Sequence, residues 1–314
     1  MKIAFLLYPT ASVKIHEDSS FWIMQELKKR GHEVSYFESR DLEWSEGSPQ
    51  ARLTPAKLDL KKGYLPSVKR QDPVSLAGLD CIFIRKEPPF DTQYLYALQL
   101  LETIKDQVFV LNDPTGVAMA NEKLFSLLFT KYAPETLVTE SIASARSFIK
   151  SLRKKVVVKP LHQKGGLGIF ATSFNDENLP SLLETATEHE KRRIMIQQFV
   201  PAKKFGDKRI VILNGDILGA FVRYPPRDDF RANLSVGGTM HRASVNSWDR
   251  KLVEEMAPQL LSRGLFFVGI DVIGRYLTEV NVTSPAGIPE INYLNKIHAE
   301  RNVADFIEQR LRSR

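Results

Sequence analysis

Cysteine is nearly missing from the 314-residue chain: Cys81 stands alone. A single thiol excludes an internal disulfide framework and suits a reducing, cytoplasmic setting. It lies inside the apolar run 81–84, which marks a buried structural thiol and not a nucleophile. Long hydrophobic runs are missing too, and no stretch approaches the ~20 apolar residues of a membrane span. Residues 1–8 hold too short an apolar segment for a signal peptide and are expected to form a first strand. There is no zinc-ligand spacing and no basic tract interleaved with aromatics, so the net charge of +7 does not point to nucleic acid. The basic residues are dispersed, which suits a solvated surface with its functional positive charge gathered at a site for small anions.

What is present is an alternation of strands and helices. Strands are expected at 2–8, 33–37, 81–85 and 108–111, with helices from Asp18 or Ser19 to Gly31 and over 92–104. That order implies parallel pairing in a doubly wound sheet. Loops at the carboxyl ends of such strands face the ligand crevice, and two of them carry Asp18 and Arg85. Residues 41–70 are polar and irregular, and no regular element is expected there. Further on, the loop 112–116 should begin a helix carrying Lys123, which on a helix surface would be a solvated charge. Strands at 155–159, 168–172 and 193–200 flank a helix at 177–188. Asn214-Gly215 marks a hairpin between 207–214 and 216–224. Ser247 should cap a long helix interrupted near Pro258, and the helical tail from about Asn292 should pack peripherally.

The most informative stretch is 266–285, two β-branched apolar runs joined by a glycine-containing turn. Strand alternation puts Glu279 and Asn281 on one face and Val280 and Val282 on the other. With the turn at 274–276, Asp271 falls opposite Glu279. Two carboxylates directly across a strand pair repel. A divalent cation would relieve the repulsion, and Mg²⁺ takes such oxygen donors together with phosphate oxygens. An edge hairpin with its polar face in water explains the same pattern. Residues 163–168, Gln-Lys-Gly-Gly-Leu-Gly, allow backbone N–H groups to approach phosphate, or form a plain hairpin turn. They are not the Lys-Ser/Thr phosphate loop, and no helix follows. Lys159 ends an apolar strand just before a proline, where it can bring a point charge to phosphates from a rigid element.

These segments resemble bacterial glutathione synthetase, of the ATP-grasp superfamily. The resemblance is carried by Asp271 with the run 277–285 and by 17–21, 85–92, 121–125, 206–209 and 233–238, collinear over nearly the whole chain. It implies an α/β chain: an N-terminal doubly wound parallel-sheet substrate domain (1–120) followed by a two-lobed ATP-grasp α+β unit, with a small lid domain (121–200) and a C-terminal catalytic domain (201–314). The activity it implies joins γ-glutamylcysteine and glycine through an acyl phosphate, giving glutathione, ADP and phosphate. ATP and Mg²⁺ or Mn²⁺ are the implied cofactors, in a cytoplasmic homo-oligomer that binds neither nucleic acid nor membrane. By resemblance, Asp271, Glu279 and Asn281 hold metal. Lys123, Lys159, Gly165, Gly166, Gly168, Gln198, Phe199, Val200 and Asp207 bind the nucleotide. Arg209, Arg223, Arg231 and Asn233 steady the transferred phosphoryl group and the carboxylate receiving it, while Asp18, Arg85 and Ser284 meet the dipeptide.

The chain departs from the family at the substrate end. After Ser284 and Pro285 the family continues with a threonine and then a basic or amide residue before a glutamate. Here Ala286, Gly287, Ile288 and Pro289 precede Glu290, and Pro289 removes both a polar side chain and a backbone donor. His162 and Lys164 stand where the family often has aspartate. A related ligase with another acceptor or peptide donor therefore stays open, as does a non-catalytic ATP-binding regulator. The intact Asp271, Glu279 and Asn281 set argues against the regulator. The long polar loop 225–239 is expected to act as a mobile lid. Glu279→Gln is expected to raise the stability of the unliganded protein slightly, by removing a cross-strand repulsion.

Overall fold

The computed structural model describes residues 1–9, 15–57, 72–163 and 165–313. The first part of the chain contains β1 (Lys2–Leu7), α1 (Ser19–Lys29), β2 (Glu33–Glu38), β3 (Leu42–Ser45), β4 (Ser48–Arg52), β5 (Thr54–Pro55), β6 (Pro73–Ser75), β7 (Cys81–Arg85), α2 (Thr92–Glu102), β8 (Phe109–Leu111) and α3 (Pro114–Met119). Strands β2, β1, β7 and β8 pair in parallel, with β5 antiparallel at the edge. Both faces of this sheet are covered, which is why β1 is apolar almost throughout. Ile3, Phe5 and Leu7 pack with Phe21, Met24 and Leu27 of α1. Ala4 and Leu6, pointing the other way, pack with Tyr94, Ala97 and Leu98 of α2. Asp18 and Asp91 cap the two helices, accepting from the Ser20 N–H at 2.6 Å and the Tyr94 N–H at 2.8 Å.

Strands β3, β4 and β6 form a small antiparallel sheet where nothing regular was expected. Residues 58–71 of that stretch lie outside the described residues. The β3–β4 turn runs through Glu46 and Gly47 at φ 52° and 74°, a left-handed pair suited to a two-residue hairpin. Glutamate seldom fills such a position, so the sequence carried little sign of it.

The middle of the chain gives β9 (Thr136–Thr139), α4 (Ile142–Leu152), β10 (Val156–Pro160), β11 (Phe170–Thr172), α5 (Leu179–Ala186) and β12 (Ile194–Gln198). The sheet is antiparallel, in the order β11-β10-β12-β9. Val156 and Val158 of β10 and Ile194 and Ile196 of β12 face α4 and α5. By alternation Val157, Lys159 and Gln197 point to the opposite face.

The last part contains α6 (Ala202–Phe205), β13 (Asp207–Leu213), β14 (Asp216–Tyr224), β15 (Thr239–Arg242), α7 (Ser247–Leu261), β16 (Phe267–Ile273), β17 (Tyr276–Asn281), α8 (Ile288–Asn295) and α9 (Ala299–Arg312). The sheet order is β15-β14-β13-β16-β17, all antiparallel. Its Ile210, Ile212, Val268, Ile270 and Val280 pack with Leu252, Met256 and Leu260 of α7. The cap of α7 is Asn246 in a reciprocal box with Asp249, and not Ser247. Pro258 lies inside the helix without ending it, close enough to its C-terminus that only the last turn is affected. The tail is no peripheral appendage: Val303, Ala304 and Ile307 of α9 are fully buried, in one core with Phe21 and Phe83. Arg30–Asp305 (2.6 Å) and His32–Glu308 (2.8 Å) tie α9 to the α1–β2 corner. No helix among the described residues is long and apolar enough to cross a membrane.

Buried polar clips join the parallel sheet to the β16–β17 hairpin. The Asn112 amide donates to the carbonyls of Phe267 (2.8 Å) and Val282 (3.0 Å), and its oxygen accepts the Phe267 N–H (2.8 Å). Ser19 Oγ accepts the N–H groups of Gly287 and Ile288, each at 3.1 Å. The Glu122 carboxylate accepts from the Val282 and Thr283 N–H groups and, at 2.7 Å, from the Thr283 hydroxyl.

Candidate active site

The register of the five-stranded sheet gathers the charged residues on one face. Asp207 pairs with Arg223, Arg209 with Asp271, and Asp271 with Glu279 across the expected turn; Asn281 pairs with Gly269. A bulge between Asp271 and Val272 leaves that arrangement intact. The expected carboxylate face is therefore present, but in this structure its charge is answered by protein cations. Arg209 grips Asp271 through Nε (2.5 Å) and Nη2 (2.9 Å), and Arg223 Nη2 lies 3.0 Å from Asp271 Oδ1 and 2.6 Å from Asp207 Oδ2. Burial alone would raise the Asp271 carboxyl; the Arg209 and Arg223 guanidiniums override it and hold it well below the usual carboxylate range. Asp207 is pushed up to about 6 by burial, against the pull of Arg223 and with help from the Asp271 charge. Arg223 is raised despite its burial, by Asp207 and Asp271.

Glu279 is held by Lys123 Nζ at 2.9 Å, and the same ammonium donates to the Gln163 carbonyl at 2.7 Å. Lys123 is not on a helix. α3 ends at Met119, and Lys123 follows in a turn where Asn121 Oδ1 accepts the N–H groups of Lys123 and Leu124. Its side chain is 5% exposed, so the solvated-charge reading fails. Burial opposes its charge, but Glu279 and then Glu122 raise its pKa.

Across the cleft, Lys159 Nζ donates to Gln197 Oε1 at 2.8 Å, and Gln197 Nε2 donates to Thr136 Oγ1 at 3.0 Å. Burial lowers Lys159 to about 8, with Glu279 opposing. Gln197, and not its neighbour Gln198, shares a strand face with Lys159, as the alternation along β10 and β12 dictates. Gly165, Gly166 and Gly168 all sit at φ between 65° and 80°, where side chains are strained. A Cβ on Gly166 would lie 2.9 Å from Asn233 Oδ1 and 3.1 Å from Arg231 Cδ, so the glycine loop rests directly against the 225–239 loop. Arg231 Nη1 donates to the Gly166 carbonyl at 3.0 Å while Asp229 holds the same guanidinium at 2.7 Å. Lys164 lies outside the described residues.

Together these elements line a narrow cleft whose internal cavity is about 110 Å³ in the unliganded protein. Lys123, Lys159, Gly165, Gly166, Asp207, Arg231, Asn233, Asp271 and Glu279 line its polar end, and Gln198, Phe199 and Val200 its hinge end. Phe199 and Phe230 meet edge-on there at 6.0 Å. The N–H groups of Gln198 and Phe199 are already committed to the carbonyls of Glu135 and Lys155. Arg209, Arg223, Gly168 and Asn281 are not part of this lining. Asn281 touches Asp271 Oδ2 at 3.4 Å. Among the described residues no three His, Cys, Asp or Glu side chains are placed to hold a metal. Any ion here must use the Asn281 amide and oxygens of a ligand beside Asp271 and Glu279.

Asp18, Arg85 and Ser284 do not line this cleft. Asp18 accepts from Tyr8 Oη at 2.8 Å as well as capping α1. Arg85 Nε donates to Ser20 Oγ at 3.0 Å, with its guanidinium over the rings of Phe83 and Phe267. Burial lowers its pKa against the pull of Asp18. Arg85 Nη1 and Ser284 Oγ are both buried with no hydrogen-bond partner. Buried polar atoms are normally satisfied, so such exceptions call for an explanation.

The family model described as the prokaryotic glutathione synthetase N-terminal domain matches residues 1–118, and that described as the prokaryotic glutathione synthetase ATP-grasp domain matches 122–296. The glutathione synthetase of Synechococcus elongatus is 41% identical over 95% of both chains. That of Vibrio cholerae is 38% identical, covering 100% of this chain and 99% of its own. Among solved structures, a D-cycloserine synthetase superimposes with a TM-score of 0.67 at 13% identity, covering 97% of this chain and 99% of its own. The D-alanyl-alanine synthetase A of Vibrio cholerae gives 0.63 at 16% identity, covering 99% and 98%. At such identities these two report the fold alone.

Proposed function

Since the chain belongs to the prokaryotic glutathione synthetase family, we propose that its cleft activates the cysteinyl carboxylate of γ-glutamylcysteine with ATP and passes it to glycine. The protein is an ATP-dependent carbon–nitrogen ligase that requires a divalent metal. The observation carrying the residue-level reading is the face of Asp271, Glu279 and Asn281 between two lysines drawn out of solvent, under a glycine loop in left-handed backbone. The donor chemistry fits a hard cation: two carboxylates and an amide, with too few protein oxygens to replace phosphate. When bound, Mg²⁺ supplies charge neutralisation and in-line alignment to the phosphates, and Mn²⁺ suits the same donors.

The chain's own residues do the rest. Lys123 and Lys159 neutralise phosphate oxygens, and the glycine-loop N–H groups approach them without side chains in the way. The hinge at Gln198, Phe199 and Val200 takes the adenine between apolar side chains. Arg209 and Arg223, already fixed by Asp207 and Asp271, present guanidinium edges to the carboxylate and the transferred phosphoryl group. A carboxylate oxygen attacks the γ-phosphorus and ADP leaves. The glycine nitrogen then attacks the acyl carbon, the carbon–oxygen bond breaks with its electrons going to phosphate, and the ammonium proton is lost. Arg231 and Asn233 close the lid loop onto the glycine loop, keeping water from the acyl phosphate. Arg85, Asp18 and Ser284 hold the dipeptide on the parallel-sheet side, where unpartnered Nη1 and Oγ atoms await polar groups. The family reading also carries a cytoplasmic homo-oligomer, which sedimentation of the purified chain tests.

ADP release coupled to γ-glutamylcysteine, measured across the amino acids as acceptors, tests this function. Glycine should be strongly preferred. Preference for another amino acid would favour the ligase with a different acceptor that Pro289 leaves open. Nucleotide binding without ADP release under any acceptor would favour the regulator.

A further inference from the structure

Glu290 is a partly buried carboxylate to which the reaction above gives no task. It lies in the first turn of α8, and its Oε2 is buried with no hydrogen-bond partner. Burial raises its pKa; its own backbone N–H and the Arg209 and Arg223 charges oppose the rise, and Asp18 adds to it. The start of α8 is fixed in place, because Ser19 Oγ accepts both the Gly287 and Ile288 N–H groups. Glu290 is thus held within electrostatic reach of the two arginines of the reaction centre and of Asp18. A carboxylate oxygen buried without a hydrogen-bond partner costs stability and calls for an explanation, of which a ligand that completes it is one.

On its other side Glu290 lines a second, open cleft with Trp22, Leu234, Gly238, Met240 and Tyr293. Leu234 and Gly238 belong to the 225–239 loop, so this cleft runs from solvent, beneath the lid, to a carboxylate near the arginines. The other charged and amide side chains along it have partners, Glu17 facing His16 at 3.6 Å. Asn292 accepts the Ala299 N–H and donates to Glu300, Lys296 lies over the Tyr293 ring, and His298 meets Glu300 at 3.1 Å. The arginine charges nearby are balanced by Asp207 and Asp271. What the inner end of the cleft offers an incoming molecule is therefore a hydrogen-bond acceptor of negative charge.

We propose that Glu290 binds the primary ammonium group of an amino-acid substrate entering by this cleft. The assignment rests on the ligase reading above and deepens it. Both substrates carry such a group: the acceptor's reacting amine, and the α-ammonium of the γ-glutamyl residue. An ammonium presents three N–H donors and a positive charge, which satisfies Oε2 and offsets the Asp18 charge together. Glu290 is a residue whose loss should fall on one substrate and not on nucleotide.

The test is steady-state kinetics of Glu290→Gln and Glu290→Asp with ATP, γ-glutamylcysteine and glycine varied in turn. Gln is isosteric and removes no protein contact of Oε2, and Asp keeps the charge should Gln fold poorly. The expected result for Gln is an ATP KM within two-fold of the parent and a KM for one amino substrate raised ten-fold or more, partly recovered in Asp. A rise for glycine assigns the acceptor's amine. A rise for the dipeptide assigns the γ-glutamyl ammonium; glutarylcysteine, which lacks that amine, should then bind the parent and Glu290→Gln alike. If the parent makes glutathione and both amino-substrate KM values stay within two-fold, the assignment is overturned and the ligase reading stands. Equal rises for all three substrates also overturn it, since that pattern reports distortion. A parent that makes no glutathione overturns the ligase reading and this assignment with it.

Discussion

Replacing Glu279 with Gln separates two roles of one carboxylate. In the unliganded protein Glu279 faces Lys123 at 2.9 Å, with side-chain exposures of 25% and 5%. Breaking a fully buried pair by removing one partner costs about 3–5 kcal/mol. Here Glu279 is a quarter exposed, a Gln oxygen can still accept from Lys123, and the Gln163 carbonyl remains at 2.7 Å. The loss should shrink to about 1–3 kcal/mol, the scale of a charged hydrogen bond. Against it stands the relief of repulsion from Asp271, worth at most ~1 kcal/mol for a cross-strand pair. That relief is small because Arg209 and Arg223 already answer Asp271. The net effect is destabilising, opposite in sign to the expectation from the sequence, and should lower Tm by roughly 2–4 °C per kcal/mol. Thermal denaturation without nucleotide measures it, and metal-dependent glutathione formation measures the second role, expected to fall on the order of 10²-fold or more. A variant as stable as the parent would mean the Lys123–Glu279 pair does not form. Turnover within a few-fold of the parent would mean the hairpin is not the metal site.

Three further outcomes follow from other parts of the cleft. Burial holds the Lys159 pKa at about 8 against an ordinary 10.5, so the nucleotide-free protein should gain stability as pH rises through that window, where the unfolded chain keeps the proton. Phosphate returns the charge, so calorimetry just above pH 8 in buffers of different ionisation enthalpy should show proton uptake with nucleotide. Lys159→Met should abolish the uptake and weaken ATP binding about ten-fold or more, and unchanged binding would make Lys159 a bystander. Asn112→Ala strands the Phe267 N–H and the Phe267 and Val282 carbonyls, so urea denaturation should show a loss of about 3 kcal/mol or more; a loss under 1 kcal/mol would refute the clip. Shortening the 225–239 loop should leave ATP binding nearly intact yet uncouple ATP cleavage from peptide formation, and tight coupling in that variant would refute the lid.

Much of the fold was legible because burial imposes simple periods. Two-sided burial made β1 and β7 continuous apolar runs, and one-sided burial gave the alternation that set Asp271 opposite Glu279. Asn214-Gly215 marked its own turn, at φ 51° and 86°. What escaped depends on partners far away in the chain. β3, β4 and β5 carry polar residues and two prolines and become strands only by pairing. The burial of α9 requires α1, nearly three hundred residues earlier. Lys123 reads as a surface charge until Glu279 arrives from residue 279. Gln197, Glu122 and Asn112 carry no chemistry alone; each matters through the lysine or hairpin that it holds. The site residues came mainly from resemblance, whereas their mutual neutralisation is visible only in three dimensions.

The direct measurement of the central claim follows heavy oxygen placed in both carboxylate oxygens of the cysteinyl residue of γ-glutamylcysteine. With ATP, divalent metal and glycine present, each glutathione formed should retain one labelled oxygen in its new peptide carbonyl. The inorganic phosphate released with it should carry the other, as attack of that carboxylate on the γ-phosphorus requires. Glutathione formed alongside unlabelled phosphate, or label found in AMP, would contradict the acyl-phosphate route through this cleft.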